Sequence, residues 1–536
     1  MPESREQYAD NPFEAPGDPL ESQVAKILAE VLDVDRIGRS DSFYDFGGTS
    51  LQAIRICARV ERDIGCKALP VWLFEYDVLA DFVQRLDRAA ATAPEPASRP
   101  QARHQLSFAQ QRLWLADQLA PGSTDYNAFE LHRLIGDLDL PALRGALADT
   151  IARHETLRTT FYAEDGVPYQ RIADNLEVPI EVITATDAQV QAAVEGQTRK
   201  PFQLEHGPLI RLTLLRVDPA HHLMLLVAHH IIIDDWSLAV FWRDLCAYYQ
   251  ARTGGLPAEL KPLALQYAGY ATRQRTSLQG ETLNEYLDYW RDQLHGAPLL
   301  LDLPADFPRA ERQGVSDAVT EFTLPAQTAR AVVNLAAEAR ATTFMVLITA
   351  FGVTTSIMAR QDDLVIGTFA ANRHAVELED LIGLFVNLLP LRVTCAPTLT
   401  FAELLAQVRS TALEAFRHQE LPFDHLVGAL RPPRDLTRNP VVQVAFQSFG
   451  SRAGRLALPG ITSTLLAEGQ GGNALDLLMT IQESGDELAG ELHYRADLFT
   501  TATAGEFAAS YAAILAEVTS HPDRTLEELI GPRRTI

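Results

Sequence analysis

The chain has 536 residues, 47% hydrophobic and 22% charged, which is the balance of a globular protein with room for two to four domains. Its 46 Lys and Arg stand against 70 Asp and Glu, a formal net charge of -24, which excludes phosphate-backbone binding as a main task, so no nucleic acid is expected. Cys57, Cys66, Cys246 and Cys395 are scattered, against a disulfide framework and against a metal site. The N-terminus has no signal-peptide pattern, and no uncharged apolar run nears membrane-spanning length, so a cytoplasmic protein with no membrane partner is the expectation.

Residues 1–19 hold Asn11-Pro12, Pro16-Gly17 and Asp18-Pro19 and read as a loose lead-in. Val24, Ile27, Leu28, Val31 and Leu32 then recur at helical spacing. Leu51 and Ile54, with Cys57 or Ala58, mark a second helix, and Leu79, Phe82, Val83 and Leu86 a last one, with a short piece at Val71 to Phe74 between them. This is a small helical bundle with a modest core. Between its first two long helices lies Asp41-Ser42-Phe43-Tyr44-Asp45-Phe46-Gly47-Gly48-Thr49-Ser50-Leu51. The paired glycines permit a tight turn and leave Ser50 at a helix start, where local pattern alone makes it an N-cap. The stretch resembles the attachment motif of peptidyl carrier proteins, in which the serine after Gly-Gly-x carries phosphopantetheine. The resemblance covers about residues 20–90. It implies an all-α four-helix carrier domain, a covalent 4'-phosphopantetheine on Ser50 installed by a phosphopantetheinyl transferase, and a partner-docking face that includes Leu51 and Phe74, although Leu51 could equally be ordinary core. Residues 91–103 are rich in Ala and Pro and read as a linker that lets a tethered substrate swing between neighbours.

Ser107-Phe108-Ala109-Gln110-Gln111-Arg112-Leu113-Trp114-Leu115 opens a helix-like segment, followed by Asp125-Tyr126-Asn127 and by Arg153-His154-Glu155-Thr156-Leu157-Arg158-Thr159. Arg112 and Arg158 are placed in salt bridges near a cleft, a structural task. Two apolar strands, Leu209 to Val217 and Leu223 to Val227, lead into Ala228-His229-His230-Ile231-Ile232-Ile233-Asp234-Asp235-Trp236-Ser237. At such a strand end one histidine could take the proton of an attacking amine, and Asp234 could fix geometry or charge; adjacent histidines could equally cap the strand. Further on lie a helix around Leu283 to Leu294, a Pro-rich crossing at 298–308, a strand at Ala318 to Leu324, helices around 327–338 and 343–359, and a closing helix near Ala504 to Val518.

The central stretch resembles the His-His-x-x-x-Asp-Gly signature of nonribosomal peptide synthetase condensation domains. The segments beginning at Ser107 and Arg153 resemble the family's first two motifs. Val365 to Arg373 with Leu381 to Asn387, His418 to Asp424, and Arg434 to Phe446 resemble later ones, so the resemblance spans roughly 104–536. It implies an α/β condensation domain of two chloramphenicol-acetyltransferase-like lobes in a V arrangement, residues 104–275 and 276–536, with a tunnel between them. It makes His230 the catalytic residue, His229 structural, and Asp234 one half of an ion pair with Arg309 as the candidate partner. Asn387 is assigned to substrate, to a loop, or to a buried amide contact, and His418 to structure. Asp235 replaces the family's glycine, which leaves three outcomes: a backbone that tolerates aspartate, a narrowed tunnel, or lost activity; retained activity is preferred. Gly269, Arg273 and Phe369 also depart from the usual residues. The implied reaction moves a peptidyl or aminoacyl group from Ser50's arm to the amine on a downstream acceptor carrier, between upstream and downstream synthetase modules, with no metal. Alternatives are an epimerisation or ester-forming relative, and a carrier-binding platform that recruits a tailoring enzyme.

Overall fold

The computed structural model describes residues 4–7, 11–43, 45–46, 50–66, 68, 72–73, 76–86, 103–309, 317–373, 375–433, 435, 437–450, 456–469, 475–484 and 487–530. The motif residues Gly47, Gly48 and Thr49, the side chains of Ser50 and Leu51, Phe74, and linker residues 91–102 lie outside them.

Three helices form the carrier region among the described residues: α1 (Pro19–Leu32), α2 (Ser50–Ile64) and α3 (Leu79–Arg85). Asp18 caps α1 by accepting from the Glu21 N–H, and Pro19 sits in the first turn, where its missing donor costs nothing. Val24, Leu28 and Val31 of α1 meet Ala53, Ile56 and Val60 of α2 and Phe82 of α3 around Phe43 and Leu73. The expectation of a loose lead-in is overturned. Arg5 is buried, its guanidinium holds Asp41 at 2.5 and 2.7 Å and also reaches Asn11, so the N-terminal segment straps the loop that leads toward Ser50.

The larger part has two lobes, each built on a large sheet, and the first carries a further three-stranded antiparallel sheet. The first begins with β1 (His104–Gln105), α4 (Phe108–Leu119), β2 (Asn127–Ile135) and α5 (Leu140–Arg153). It continues through β3 (Thr159–Glu164), β4 (Val167–Ile172), β5 (Ile180–Thr184), α6 (Asp187–Thr198), β6 (Ile210–Asp218), β7 (His221–His229), α7 (Asp235–Gly254) and α8 (Tyr267–Ser277). Strand β7 is buried along nearly its whole length, which is why it reads as an apolar run without alternation. The second lobe runs α9 (Gly280–Gln293), β8 (Asp317–Leu324), α10 (Ala326–Glu338), α11 (Thr343–Ala359), β9 (Asp363–Ala370), α12 (Val376–Glu379), β10 (Asn387–Thr394), α13 (Phe401–Arg417) and α14 (Phe423–Leu430). After these come β11 (Val444–Gly450), β12 (Thr462–Gly469), β13 (Leu477–Ser484), β14 (Glu487–Arg495), α15 (Thr501–Ser520) and α16 (Leu526–Ile530). Its sheet has the order β10-β9-β11-β13-β14-β8. Helix α11 is apolar on all sides because it lies in the middle of this lobe, with Val346, Leu347, Ile348 and Phe351 fully buried.

A single boundary at residue 275 does not divide the lobes. Strand β12 leaves the second half of the sequence and pairs antiparallel with β2, giving the first lobe the order β12-β2-β7-β6-β5. Ile382 and Leu384 likewise pack into the first lobe's core. No single helix among the described residues is long and apolar enough to cross a membrane.

Candidate active site

Strand β7 ends at His229, paired with Asn127 of β2, and the chain then makes one 3-10 turn, His230–Ile232, before α7 begins. That turn decides where the two histidines point. His229 is buried at 3% exposure, and its Nδ1 accepts from the Ile231 N–H at 3.1 Å. Burial, with the neighbouring His230 adding to it, pushes the His229 imidazole down to about 3, so it stays neutral and works as a hydrogen-bond acceptor inside the turn.

His230 is only partly enclosed, and its Nδ1 lies 2.5 Å from the Ile233 carbonyl oxygen. A carbonyl can only accept, so Nδ1 carries the proton and Nε2 keeps its lone pair. Burial lowers the His230 pKa. The Ile233 bond and Asp234 oppose that shift, and the charge of Arg112 adds to it. The net direction is downward, which leaves a neutral ring with a free acceptor nitrogen, the form that can receive a proton from an amine.

Asp234 caps α7 through the Ser237 N–H at 2.8 Å and also accepts from the Phe385 N–H at 2.9 Å. Its cationic partner is Arg373, at 3.2 Å, in a nearly dry setting. Arg309 is not that partner: its guanidinium grips Asp476 at 3.0 Å in the second lobe, far along the chain from the histidine turn. Arg373 closes the Gly367-Thr368-Phe369-Ala370-Ala371-Asn372-Arg373 stretch beyond β9, and topology rather than sequence distance brings it to Asp234.

Asp235 is the first residue of α7 and has ordinary helical backbone, without the positive φ that would call for glycine. Its acid group suits a helix N-terminus, so of the three outcomes a tolerant backbone is the one with structural support. Asn387 donates to the Gln419 and Leu421 carbonyls and accepts from the Phe423 N–H, which commits it to the loop rather than to substrate. His418 stacks on Tyr289 at 3.7 Å and bonds to the Glu414 carbonyl oxygen, a structural place, as expected. Arg112 faces Asp424 at 3.9 Å across the lobes, half-exposed rather than in a buried bridge. Arg153, through Nε, and His154, through Nε2, both meet Asp244 at 2.8 Å, and Arg153 also donates to the Lys261 carbonyl.

Sequence reasoning missed Gln110, Ser237 and Tyr267. The first is buried in α4 and reaches the Ile231 carbonyl at 3.3 Å. Ser237 exchanges hydrogen bonds with Gly383 at 2.8 and 3.0 Å, and Tyr267 donates to the Leu384 carbonyl at 2.5 Å. The first two lay within quoted motifs, and Tyr267 close to the departing residues Gly269 and Arg273, but their partners are 117 to 146 positions away.

As for the attachment site, α2 begins at Ser50 and buries Ala53, Ile56 and Val60 on its inner face. A helix start is a setting that suits a phosphodiester, so the position of Ser50 is compatible with phosphopantetheine. No group of metal-ligating side chains occurs among the described residues.

Comparison with known proteins agrees with this layout. Residues 101–533 match the family described as Condensation domain, and residues 22–86 match Phosphopantetheine attachment site. Malpinin synthetase of Mortierella alpina is 34% identical over 99% of this chain, and phosphinothricin tripeptide synthetase PhsC of Streptomyces viridochromogenes is 39% identical over 84%. The chain spans 7% of the first and 42% of the second. Among solved structures, the X-domain in complex with OxyB from teicoplanin biosynthesis is 31% identical with a TM-score of 0.73, over 82% of this chain and 99% of that one. A holo four-domain nonribosomal peptide synthetase bound to AMP and glycine is 26% identical with a TM-score of 0.71, over 82% of this chain and 34% of that one.

Proposed function

This chain belongs to the condensation-domain family, with a phosphopantetheine-attachment domain ahead of it, and from that premise we propose that it moves an acyl group held at Ser50 onto the amine of an aminoacyl group on a separate carrier. Condensation domains form amides between carrier-tethered thioesters, the chemistry of nonribosomal peptide synthetase modules. When bound, phosphopantetheine supplies the thiol that holds the acyl chain as a thioester. The observation that carries the assignment is the fixed tautomer of His230, with Nδ1–H donated to Ile233 and Nε2 unspent.

The acceptor amine must be uncharged to attack, and a neutral Nε2 is a hydrogen-bond acceptor that orients it and can take its proton. The amine nitrogen bonds to the acyl carbon, the carbon–sulfur bond breaks, and the nitrogen's surplus proton passes to His230 and from there to the departing sulfur. His229 and Asp234 hold the turn. The emptied thiol stays on Ser50, and the lengthened chain leaves on the acceptor carrier. Upstream and downstream synthetase modules, an acceptor carrier and a phosphopantetheinyl transferase are the partners this reaction requires.

A second reading is favoured by one comparison, the 31% identity to an X-domain solved with OxyB. In that reading Ser50 presents its cargo to a tailoring enzyme and no amide forms. Intact-mass analysis separates the two. The chain, loaded at Ser50 with a short peptidyl-phosphopantetheine, is mixed with an aminoacyl-loaded carrier. Appearance of the peptidyl mass on that carrier, lost in Ser50→Ala and His230→Ala, is the expected result. Retention of the cargo, with saturable binding of an oxygenase, would favour recruitment instead.

A further inference from the structure

The turn that carries His230 is held from two directions. From the first lobe, Gln110 of α4 donates from Nε2 to the Ile231 carbonyl at 3.3 Å, while its Oε1 accepts from the Ser107 N–H at 3.1 Å and its own N–H is held by Ser107 Oγ at 3.1 Å. From the second lobe, the Phe385 N–H donates to Asp234 at 2.9 Å, just after the turn. Both supports meet at one atom. The Tyr267 hydroxyl donates to the Leu384 carbonyl at 2.5 Å, the residue before Phe385, and lies 2.8 Å from Ser107 Oγ. Since Leu384 takes the tyrosine's proton, the serine hydroxyl is the donor to Tyr267.

We propose that the Tyr267 hydroxyl is a positioning residue for acyl transfer, the tie that closes the Gln110 and Asp234 supports of the His230 turn into a single brace. The proposal rests on His230 carrying the transfer. Tyr267 is fully enclosed, so loss of its hydroxyl leaves the Leu384 carbonyl and the Ser107 hydroxyl without their partner in a dry setting. Its ring lies edge-on to Phe385 at 5.0 Å and packs close to Gly383, where a Cβ would stand 1.9 Å from a ring carbon. Ring packing therefore survives Tyr267→Phe, and only the tie is lost. Tyr270, one turn on, contacts the same Phe385 ring at 4.6 Å, but its hydroxyl accepts from Gln274 at 3.2 Å and, among the described residues, bonds to neither Ser107 nor Leu384.

The test compares the full chain with its Tyr267→Phe, Tyr270→Phe, Ser107→Ala and Ser107→Ala/Tyr267→Phe variants. Tyr267→Phe should lower kcat for transfer about ten- to a hundredfold, with the KM for the aminoacyl carrier unchanged, because the reacting geometry loosens while the carrier surface does not. Tyr270→Phe should stay near wild type. The double variant should lose less than the product of the two single losses, since both changes break the Ser107–Tyr267 bond while Ser107→Ala also removes the cap on the Gln110 N–H. Hydrogen exchange of the 228–238 and 380–388 segments should accelerate about fivefold or more in Tyr267→Phe alone among the tyrosine variants, a readout independent of catalysis. Retained kcat, equal losses from Tyr270→Phe, multiplicative effects in the double variant, or unchanged exchange would each overturn the brace. Absence of transfer in the wild type would sink the proposed reaction, and hydrogen exchange would then decide the brace by itself.

Discussion

His229 and His230 are neighbours with opposite duties, and the difference comes from where one turn of backbone puts their nitrogens. His229 accepts from Ile231 inside the fold, and His230 donates to Ile233 through Nδ1, which leaves Nε2 as its acceptor. The downward shift at His230 predicts that its ring, followed by NMR in histidine-labelled protein and assigned against His230→Asn, titrates with a midpoint below 6.5; a midpoint at or above that value would refute the neutral-acceptor assignment. His229 carries a stability consequence. Its folded pKa, about 3, lies below the unfolded value of 6.5, so on acidification the unfolded chain binds a proton before the folded one does. Stability is therefore unaffected above 6.5 and falls as pH drops from 6.5 toward 3, by about 1.4 kcal/mol per pH unit from this group. His229→Asn keeps an acceptor for the Ile231 N–H without a titrating ring. Its denaturation midpoint should vary less steeply over that window than the wild type's, and an unchanged slope would count against the assignment. The paired histidines stood out in the sequence, but which nitrogen of each was spent depended on the turn geometry.

The element that joins the lobes is the short segment Ile382–Phe385. Thr156 donates to the Ile382 carbonyl, Ser237 bonds both to and from Gly383, Tyr267 holds the Leu384 carbonyl, and Asp234 takes the Phe385 N–H. Four side chains of the first lobe thus satisfy the backbone of a segment whose sequence neighbours belong to the second. Gly383 is required there by close approach, and Gly383→Ala should destabilise the chain by about 1–3 kcal/mol, read from urea unfolding; a neutral result would show that Tyr267 can move aside. Arg373→Ala leaves Asp234 buried without its cation, and a loss of about 3–5 kcal/mol is expected in the same measurement. Periodicity foretold several elements here, including β6, β7, α10 and α11, because each buries a continuous apolar face. It did not foretell the Asp234 partner. Arg309 and Arg373 are both arginines in plausible stretches, and only the fold decides that one meets Asp476 and the other Asp234.

Across the whole molecule, a carrier region strapped by its N-terminal segment precedes a condensation domain whose second half lends β12 and the 382–385 segment to the first lobe. The motif order pointed to both domains, since the two attachment glycines, the paired histidines and the later stretches each sit at the expected place along the chain. This crossing left no local trace, because β12 has the composition of any edge strand. The architecture puts a tether and an acceptor nitrogen on one chain, and the most direct measurement is the single-turnover rate at which a peptidyl group loaded on Ser50 appears on a separate aminoacyl carrier, in wild type and in His230→Ala. Transfer by the wild type with a fall of about a hundredfold or more in the variant is the expected result. Equal rates in the two proteins, with both fully loaded, would contradict the assignment of the reaction to His230.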